Sequence, residues 1–238
     1  MDDVAPLEPL PEDWERALAV VAHPDDMEYG AAAAVARWTS QGKHVSYLLV
    51  SDGEAGIQSI PPADAGPIRQ NEQRASCHAV GVSDVEFLGY PDGVIVESVE
   101  LRADLAAAVR RHRPDVVLSI NFRDSWGGSS WNHADHRAVG RALLDAVRDA
   151  ANPWFASERG RAWAGVRFAA FNGSPQATHA VDVTDTLDAG VRSLECHRVY
   201  IENLGGAMAS PAEFLRASAA ATGPRLGVDL AASFEVIG

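Results

Sequence analysis

The amino-acid sequence predicts an α/β fold, a Rossmann-like three-layer αβα domain built on an open and mostly parallel sheet. Three observations predict it. Apolar runs of strand length recur at 17–22 (ALAVVA), 44–50 (HVSYLLV), 85–90 (VEFLGY) and 115–120 (DVVLSI). Helical patterns separate them, as right-handed crossovers between parallel strands require. The runs are continuous rather than alternating, which suits strands buried on both faces.

The elements follow in order. The acidic, proline-rich start MDDVAPLEPLPEDW (1–14) reads as a loosely specified N-terminal extension ahead of one domain over 15–238. After the first strand a helix is expected from about Asp26 to Ser40, closed by Gly42 as a left-handed cap. PIRQNEQRASCHAVG (67–81) opens with proline in its first turn and sets Ile68, Ala75 and Ala79 on one face. SVELRADLAAAVRRHR (98–113) stops at Pro114. Farther on, 133–150 is a strong helix, while RFAAFNG (167–173) and HAVDV (179–183) read as strands. A helix capped by Thr184 is expected over 184–200 and another, capped by Ser210, over 210–221; FEVIG (234–238) is a last strand. The stretch around 152–165 is the other loosely specified one.

Composition narrows the function classes. A formal net charge of −13 opposes nucleic-acid phosphates and anionic lipid, both of which need Lys/Arg-rich surface. No apolar stretch reaches bilayer-spanning length, and the N-terminus lacks the basic start and apolar centre of a secretory signal, so a cytoplasmic protein without a membrane partner is expected. Cys77 and Cys196 lie far apart, without CxxC spacing, and read as small buried hydrophobes. A small-molecule partner fits best, and a homo-oligomer is compatible with the sequence.

In an open α/β sheet, ligands bind beyond the carboxyl ends of the strands. Here each strand empties into a polar cluster: His23-Pro24-Asp25-Asp26, Ser51-Asp52-Gly53-Glu54, Tyr90-Pro91-Asp92-Gly93 and the long NFRDSWGGSSWNHADH (121–136). A helix start needs one capping side chain, perhaps an acidic first turn, and four such ends exceed that need. His23 with one of the two aspartates supplies two ligands of zinc type. HADH (133–136) offers two histidines three residues apart, one to bind the ion and one to face a substrate.

AHPDD (22–26), SDGE (51–54), IRQNE (68–72), FLGYPDG (87–93), RPDVV (113–117) and HADHRA (133–138) together resemble the LmbE-like, or PIG-L-type, zinc-dependent deacetylases. The matches run in order from about residue 17 to 140, and VDVTDTLDAGVRSLECH (181–197) extends them more weakly. The resemblance implies zinc ligation by His23, Asp26 and His136, with Asp25 as general base. It gives His133 the positioning and protonation of the reacting amide, with Asp135 as its carboxylate partner. Iron(II) or cobalt would suit the same ligands. The implied substrate is an N-acetylated sugar or glycosylated small molecule. Arg69 and Asp92 resemble positions that hydrogen-bond sugar hydroxyls, which need both a donor and an acceptor. Glu54 adds a contact, and Trp126 and Trp131, which flank Gly-Gly-Ser-Ser, either form a movable apolar wall or simply pack against the core.

The chain departs from the family pattern in two places. HADH stands where HPDH is common, and Trp131 stands where some members place a tyrosine as oxyanion donor. His197, in the weaker match, is a further candidate for the site, whereas His44, His78, His112 and His179 have no ligand-type neighbours at useful spacing. Two rival readings stand beside deacetylation: a zinc amidase of the same architecture cutting a different amide, and a non-catalytic binding module. The second is opposed by the absence of a GxGxxG turn and by a complete three-ligand set.

Overall fold

Strand β2 (Arg16–Val21) shows how the apolar runs are used. Ala17, Ala19 and Val21 face one hydrophobic cluster and Leu18 and Val20 another, and all five are at most 2% exposed. Fully burying an aliphatic side chain stabilises by about 1.5–3 kcal/mol, so a strand of this kind needs cover on both faces. In a computed structural model of the chain, which describes residues 5–238, that cover is helical.

The other elements, in chain order, are β1 (Glu8–Pro9), which precedes β2, then α1 (Ala32–Ser40), β3 (His44–Ser51), α2 (Pro62–Ala79), β4 (Asp84–Tyr90), α3 (Val99–His112), β5 (Val116–Ile120) and α4 (Ala134–Ala151). β6 (Phe168–Asn172), β7 (His179–Asp182), α5 (Leu187–Glu195), α6 (Arg198–Glu202), α7 (Pro211–Leu226) and β8 (Ala231–Ile237) complete the chain, with 3-10 turns at Ser157–Arg159 and Gly206–Ala209. The strands form one sheet in the order β1-β7-β8-β6-β5-β2-β3-β4. All neighbours are parallel except β8, which runs antiparallel to β6 and β7. Helices α1, α2, α5 and α7 cover one face and α3 and α4 the other. The predicted three-layer α/β architecture with its mostly parallel sheet is therefore the observed one.

Several local expectations change. The first helix starts at Ala32, not near Asp26, because Asp25 takes a left-handed backbone (φ +86°) and residues 24–31 form a series of turns instead. α2 starts at Pro62, so Pro67 lies inside the helix rather than in its first turn. The helix expected to follow Thr184 begins after Thr186 and breaks at Cys196–His197 into α5 and α6. Ser210 is the N-cap residue of α7, yet its hydroxyl makes no capping bond. Within the stretch expected to be a loose extension, residues 1–4 lie outside the described residues, but Leu7, Leu10 and Trp14 are buried and β1 adds an edge strand on β7. Around 152–165 the chain is organised by Arg110, 5% exposed, whose guanidinium donates to the carbonyls of Asp149, Ala150, Asn152, Phe155 and Ala156.

Candidate metal centre and active site

The carboxyl ends of β2, β5 and β6 open into one cavity of about 860 Å³, and the two histidine-bearing segments meet there. Turn 23–26 brings Asp25 and Asp26 inward. Asp26 Oδ2 accepts the backbone N–H of His23 at 2.9 Å, and Gln73 Oε1 accepts that of Asp25 at 2.9 Å, which steadies a backbone conformation that costs a non-glycine residue about 1–3 kcal/mol. From the other side, the first turn of α4 delivers His136.

His23 Nδ1, Asp26 Oδ1 and His136 Nε2 converge, with separations of 3.2 Å between the histidines, 3.0 Å from His136 to Asp26 and 3.7 Å from His23 to Asp26. A tetrahedral ion with ligands at about 2.0–2.1 Å sets its donor atoms roughly 3.3 Å apart, so the three donors fit a divalent metal. The surrounding hydrogen bonds assign the lone pairs. His23 Nε2 points at Asp92 Oδ1 (3.0 Å) and Asp135 Oδ2 (3.3 Å), and His136 Nδ1 points at Asn132 Oδ1 (2.8 Å). Each outward nitrogen therefore carries the hydrogen and each inward one the lone pair, the arrangement that orients metal-binding imidazoles. Asn132 cannot flip, since its Nδ2 donates to the carbonyls of Asn121 and Arg123. Burial alone would lower the pKa of His23, but Asp26, Asp135 and Asp92 lift it well above its ordinary value: this site attracts positive charge.

Asp25 does not share the ion cluster. Burial pushes its carboxyl up to about 7, against the attraction of Arg69 and with the repulsion of Asp26. Arg69 lies 3.2 Å from Asp25 Oδ2 but out of hydrogen-bonding alignment, so that oxygen keeps a free acceptor position. His133 also lines the cavity. Its Nδ1 accepts the backbone N–H of Asp135 (3.2 Å), which leaves the hydrogen on Nε2, and burial with the nearby His23 holds its pKa below the usual value.

The expected pairing of Asp135 with His133 is replaced by another. The Asp135 carboxylate, fully buried, accepts from Gly93 N–H (2.8 Å) and Ile95 N–H (3.1 Å) and faces His23. It thus clamps the loop after β4 against His23. Arg69 reaches the cavity but is 2% exposed, donating to the Pro24 carbonyl and stacking on Tyr200 with 3.8 Å from guanidinium carbon to ring centroid. Gly53, at φ +65°, makes room for it: a Cβ there would come within 3.1 Å of the guanidinium carbon. Asp92 lines the cavity as well as holding His23, whereas Glu54 stands behind it, accepting the Asp92 N–H at 2.8 Å. Trp126 packs edge-on to His136 at 5.9 Å; Trp131 stands at the mouth, 91% exposed. The loop carrying them is pinned by a Ser125–Trp131 bridge and by Asn121 Nδ2 donating to the Ser125 carbonyl, which argues against a freely moving wall. His197 lies outside the cavity lining, fully buried, 3.9 Å from Glu28.

Asn132, Gln73 and Tyr200 were not singled out from the sequence. Asn132 had a signal in its place directly before HADH; Gln73 and Tyr200 sit on helices whose approach to the site is a tertiary fact.

Over 192 residues the chain is 27% identical to a diacetylchitobiose deacetylase of Thermococcus kodakarensis, covering 78% of this chain and 70% of that protein. It is 31% identical over 175 residues to a 1D-myo-inositol 2-acetamido-2-deoxy-alpha-D-glucopyranoside deacetylase of Geodermatophilus obscurus, covering 62% of this chain but only 58% of the relative. The solved structure of an N,N'-diacetylchitobiose deacetylase from Pyrococcus horikoshii superposes with a TM-score of 0.84 at 25% identity, over 95% of this chain and 85% of that one. A family profile, GlcNAc-PI de-N-acetylase, matches residues 18–147, more than half of the chain, and takes in His23, Asp26 and His136. The chain belongs to the GlcNAc-PI de-N-acetylase, or PIG-L, family.

Proposed function

We propose that the protein is a zinc-dependent hydrolase that removes the acetyl group from an N-acetylated sugar or a glycosylated small molecule. The observation that carries this reading is the convergence of His23 Nδ1, Asp26 Oδ1 and His136 Nε2 with their lone pairs facing one another. The relatives' acetamido-sugar substrates support the same substrate class. His23, Asp26 and His136 would hold zinc, which would supply Lewis acidity toward water and a carbonyl oxygen.

The remaining steps belong to the chain. Asp25, beside the ligands and with a free acceptor oxygen, takes the proton of the attacking water. His133 Nε2–H donates to the carbonyl oxygen as negative charge develops on it, a contact of the kind commonly worth about 10²–10³ in rate. The bond between carbonyl carbon and nitrogen breaks, acetate departs, and the proton held by Asp25 is available to the leaving amine. Asp92 and Trp131, at the cavity wall and mouth, meet the sugar; Arg69, nearly enclosed, orients Asp25 and the Pro24 carbonyl. The proposal includes a cytoplasmic setting, supported by two unpaired cysteines in a chain that builds its core without disulfides.

Metal analysis combined with acetate release from a panel of N-acetylglucosaminides tests the reading. One zinc per chain and zinc-dependent acetate release are expected. A chain that binds no zinc even when it is added would be a binding module instead. Amine release without acetate would assign a different amide.

A further inference from the structure

A line of buried polar side chains runs inward from Asp25. Gln73 on α2 accepts the Asp25 N–H through Oε1 at 2.9 Å, and its Nε2 donates to Glu28 Oε1 at 2.9 Å and to Cys77 Sγ at 3.2 Å. Ser76, farther along α2, donates its hydroxyl to the same Glu28 oxygen at 2.9 Å. Ser193 on α5 lies 2.8 Å from the Ser76 hydroxyl and donates to the Ser76 carbonyl at 3.0 Å. Gln73, Ser76 and Ser193 are fully buried, and Glu28 is 1% exposed.

Buried polar groups are costly unless satisfied, and here the partners leave the Gln73 amide a single orientation. An amide side chain can turn over and exchange its oxygen for its nitrogen. Glu28 Oε1, which takes the Ser76 hydrogen, admits only the nitrogen, and the amide oxygen is thereby aimed at the Asp25 N–H. Glu28 also donates its own N–H to the Asp25 carbonyl at 2.9 Å, so both peptide groups flanking the residue at φ +86° are held from this side. Glu28 borders the cavity, but its second oxygen is enclosed, finds no partner among the described residues and faces His197 at 3.9 Å. It acts through Gln73 and not on a substrate.

We propose that Glu28 is a positioning residue for the general base: its Oε1, supported by Ser76 and Ser193, sets the Gln73 amide and so fixes the left-handed backbone that aims the Asp25 carboxyl. The proposal rests on the deacetylase reading for the identity of the base. It makes the acceptor oxygen of Glu28, not its charge, the functional element. The last link, Ser193, stands on an element beyond residue 147, where the family match ends.

Kinetics of acetate release, zinc titration and amide hydrogen exchange of the zinc-loaded protein test it. Glu28→Met and Gln73→Met, which keep the length of the side chain, should lower kcat about 10- to 100-fold with KM and zinc affinity within about twofold, since a shift of about 1 Å in a catalytic group can cost that much. The double variant should fall no farther than either single one, because both break one line. Glu28→Gln keeps an acceptor for Ser76 and Gln73 and should retain about half or more of the wild-type kcat, whereas a space-filling role would be served as well by Met. Exchange of the Asp25 N–H should quicken about tenfold or more in both Met variants and stay slow in Glu28→Gln. Wild-type kcat and exchange in Gln73→Met overturn the proposal, as does a loss in Glu28→Gln as deep as in Glu28→Met, or a loss carried by KM or zinc affinity instead of kcat. If neither Met variant folds, Ser193→Ala takes their place: kcat about threefold lower with faster Asp25 exchange is expected, and wild-type values overturn the proposal. Should the wild-type chain release no acetate from any N-acetylglucosaminide, the deacetylase reading fails, and the exchange pattern alone decides whether Glu28 positions residue 25.

Discussion

Asp25 and Asp26 are adjacent in sequence and do opposite work. Asp26 is held well below the usual carboxylate range because His136 and His23 outweigh its burial, which suits it to the constant anionic ligand of the proposed metal site. Asp25, turned away by its left-handed backbone and pushed up by burial, keeps an acceptor for a proton. Replacing Asp25 by Asn should therefore leave zinc stoichiometry near one and lower kcat at least about 10²-fold. Metal loss in that variant would show that the two aspartates have exchanged roles. Asn132 acts one step farther out, through the His136 tautomer. Asn132→Ala should weaken zinc binding about 10- to 100-fold in competition with a chromophoric chelator, without altering the ligand set. Unchanged affinity would make the Asn132 contact incidental. The gathering of His23, Asp26 and His136 at one sheet edge was legible in HPDD and HADH, since few structural roles need so many ionisable groups at a strand end. The protonated nitrogens were not, because their assignment depends on Asp92, Asp135 and Asn132 arriving from three other segments.

At the scale of elements, α4 must come close enough for His136 to meet a histidine more than a hundred residues earlier in the chain. Gly140 permits this approach: a Cβ there would lie 2.3 Å from the Cβ of Phe122, which is itself packed on Phe171 with centroids 4.5 Å apart. In an exposed helix Gly→Ala stabilises by up to about 1 kcal/mol, but overpacking costs about 1–3 kcal/mol, so the sign reverses here. Gly140→Ala should lower the urea midpoint and weaken zinc binding together; a raised midpoint would mean that α4 has room to shift. β2 to β7 were readable as apolar runs, and α3 and α4 nearly to their ends, whereas the short edge strand β1 was not. The turn at 24–31 was not, because apart from Pro24 and Gly30 its amino acids are acceptable in a helix, and tertiary partners such as Gln73 hold Asp25 out of one. Asp135 makes the same point, since which histidine it serves depends on the loop after β4 and not on its neighbours in sequence.

For the molecule as a whole, stability is linked to protons and to metal. His197 is fully buried, and burial together with Arg69 draws its pKa down to about 3. The unfolded chain protonates this residue below about pH 6.5 while the folded chain resists until about pH 3, so stability falls across that window as pH drops, by up to about 1.4 kcal/mol per unit. Glu28 at 3.9 Å faces the same ring. His197→Gln should flatten the loss of unfolding free energy between pH 7.5 and 5 by about 2 kcal/mol in denaturant titrations, and an unchanged slope would place the linkage elsewhere. Zinc bound only by the folded chain should stabilise it by about 2.7 kcal/mol at a hundred times its dissociation constant, seen as a higher melting temperature that a chelator reverses. A melting temperature indifferent to both would contradict the cluster. By itself the sequence determined the layered architecture and the kinds of atom gathered at the sheet edge, because burial of apolar runs and the cost of massed ionisable groups are local properties of the chain. The tertiary structure alone decided which nitrogen faces which and that Arg69, at the cavity wall, is almost wholly buried. Those outcomes depend on the approach of segments far apart in sequence, and no run of residues encodes the space left between them.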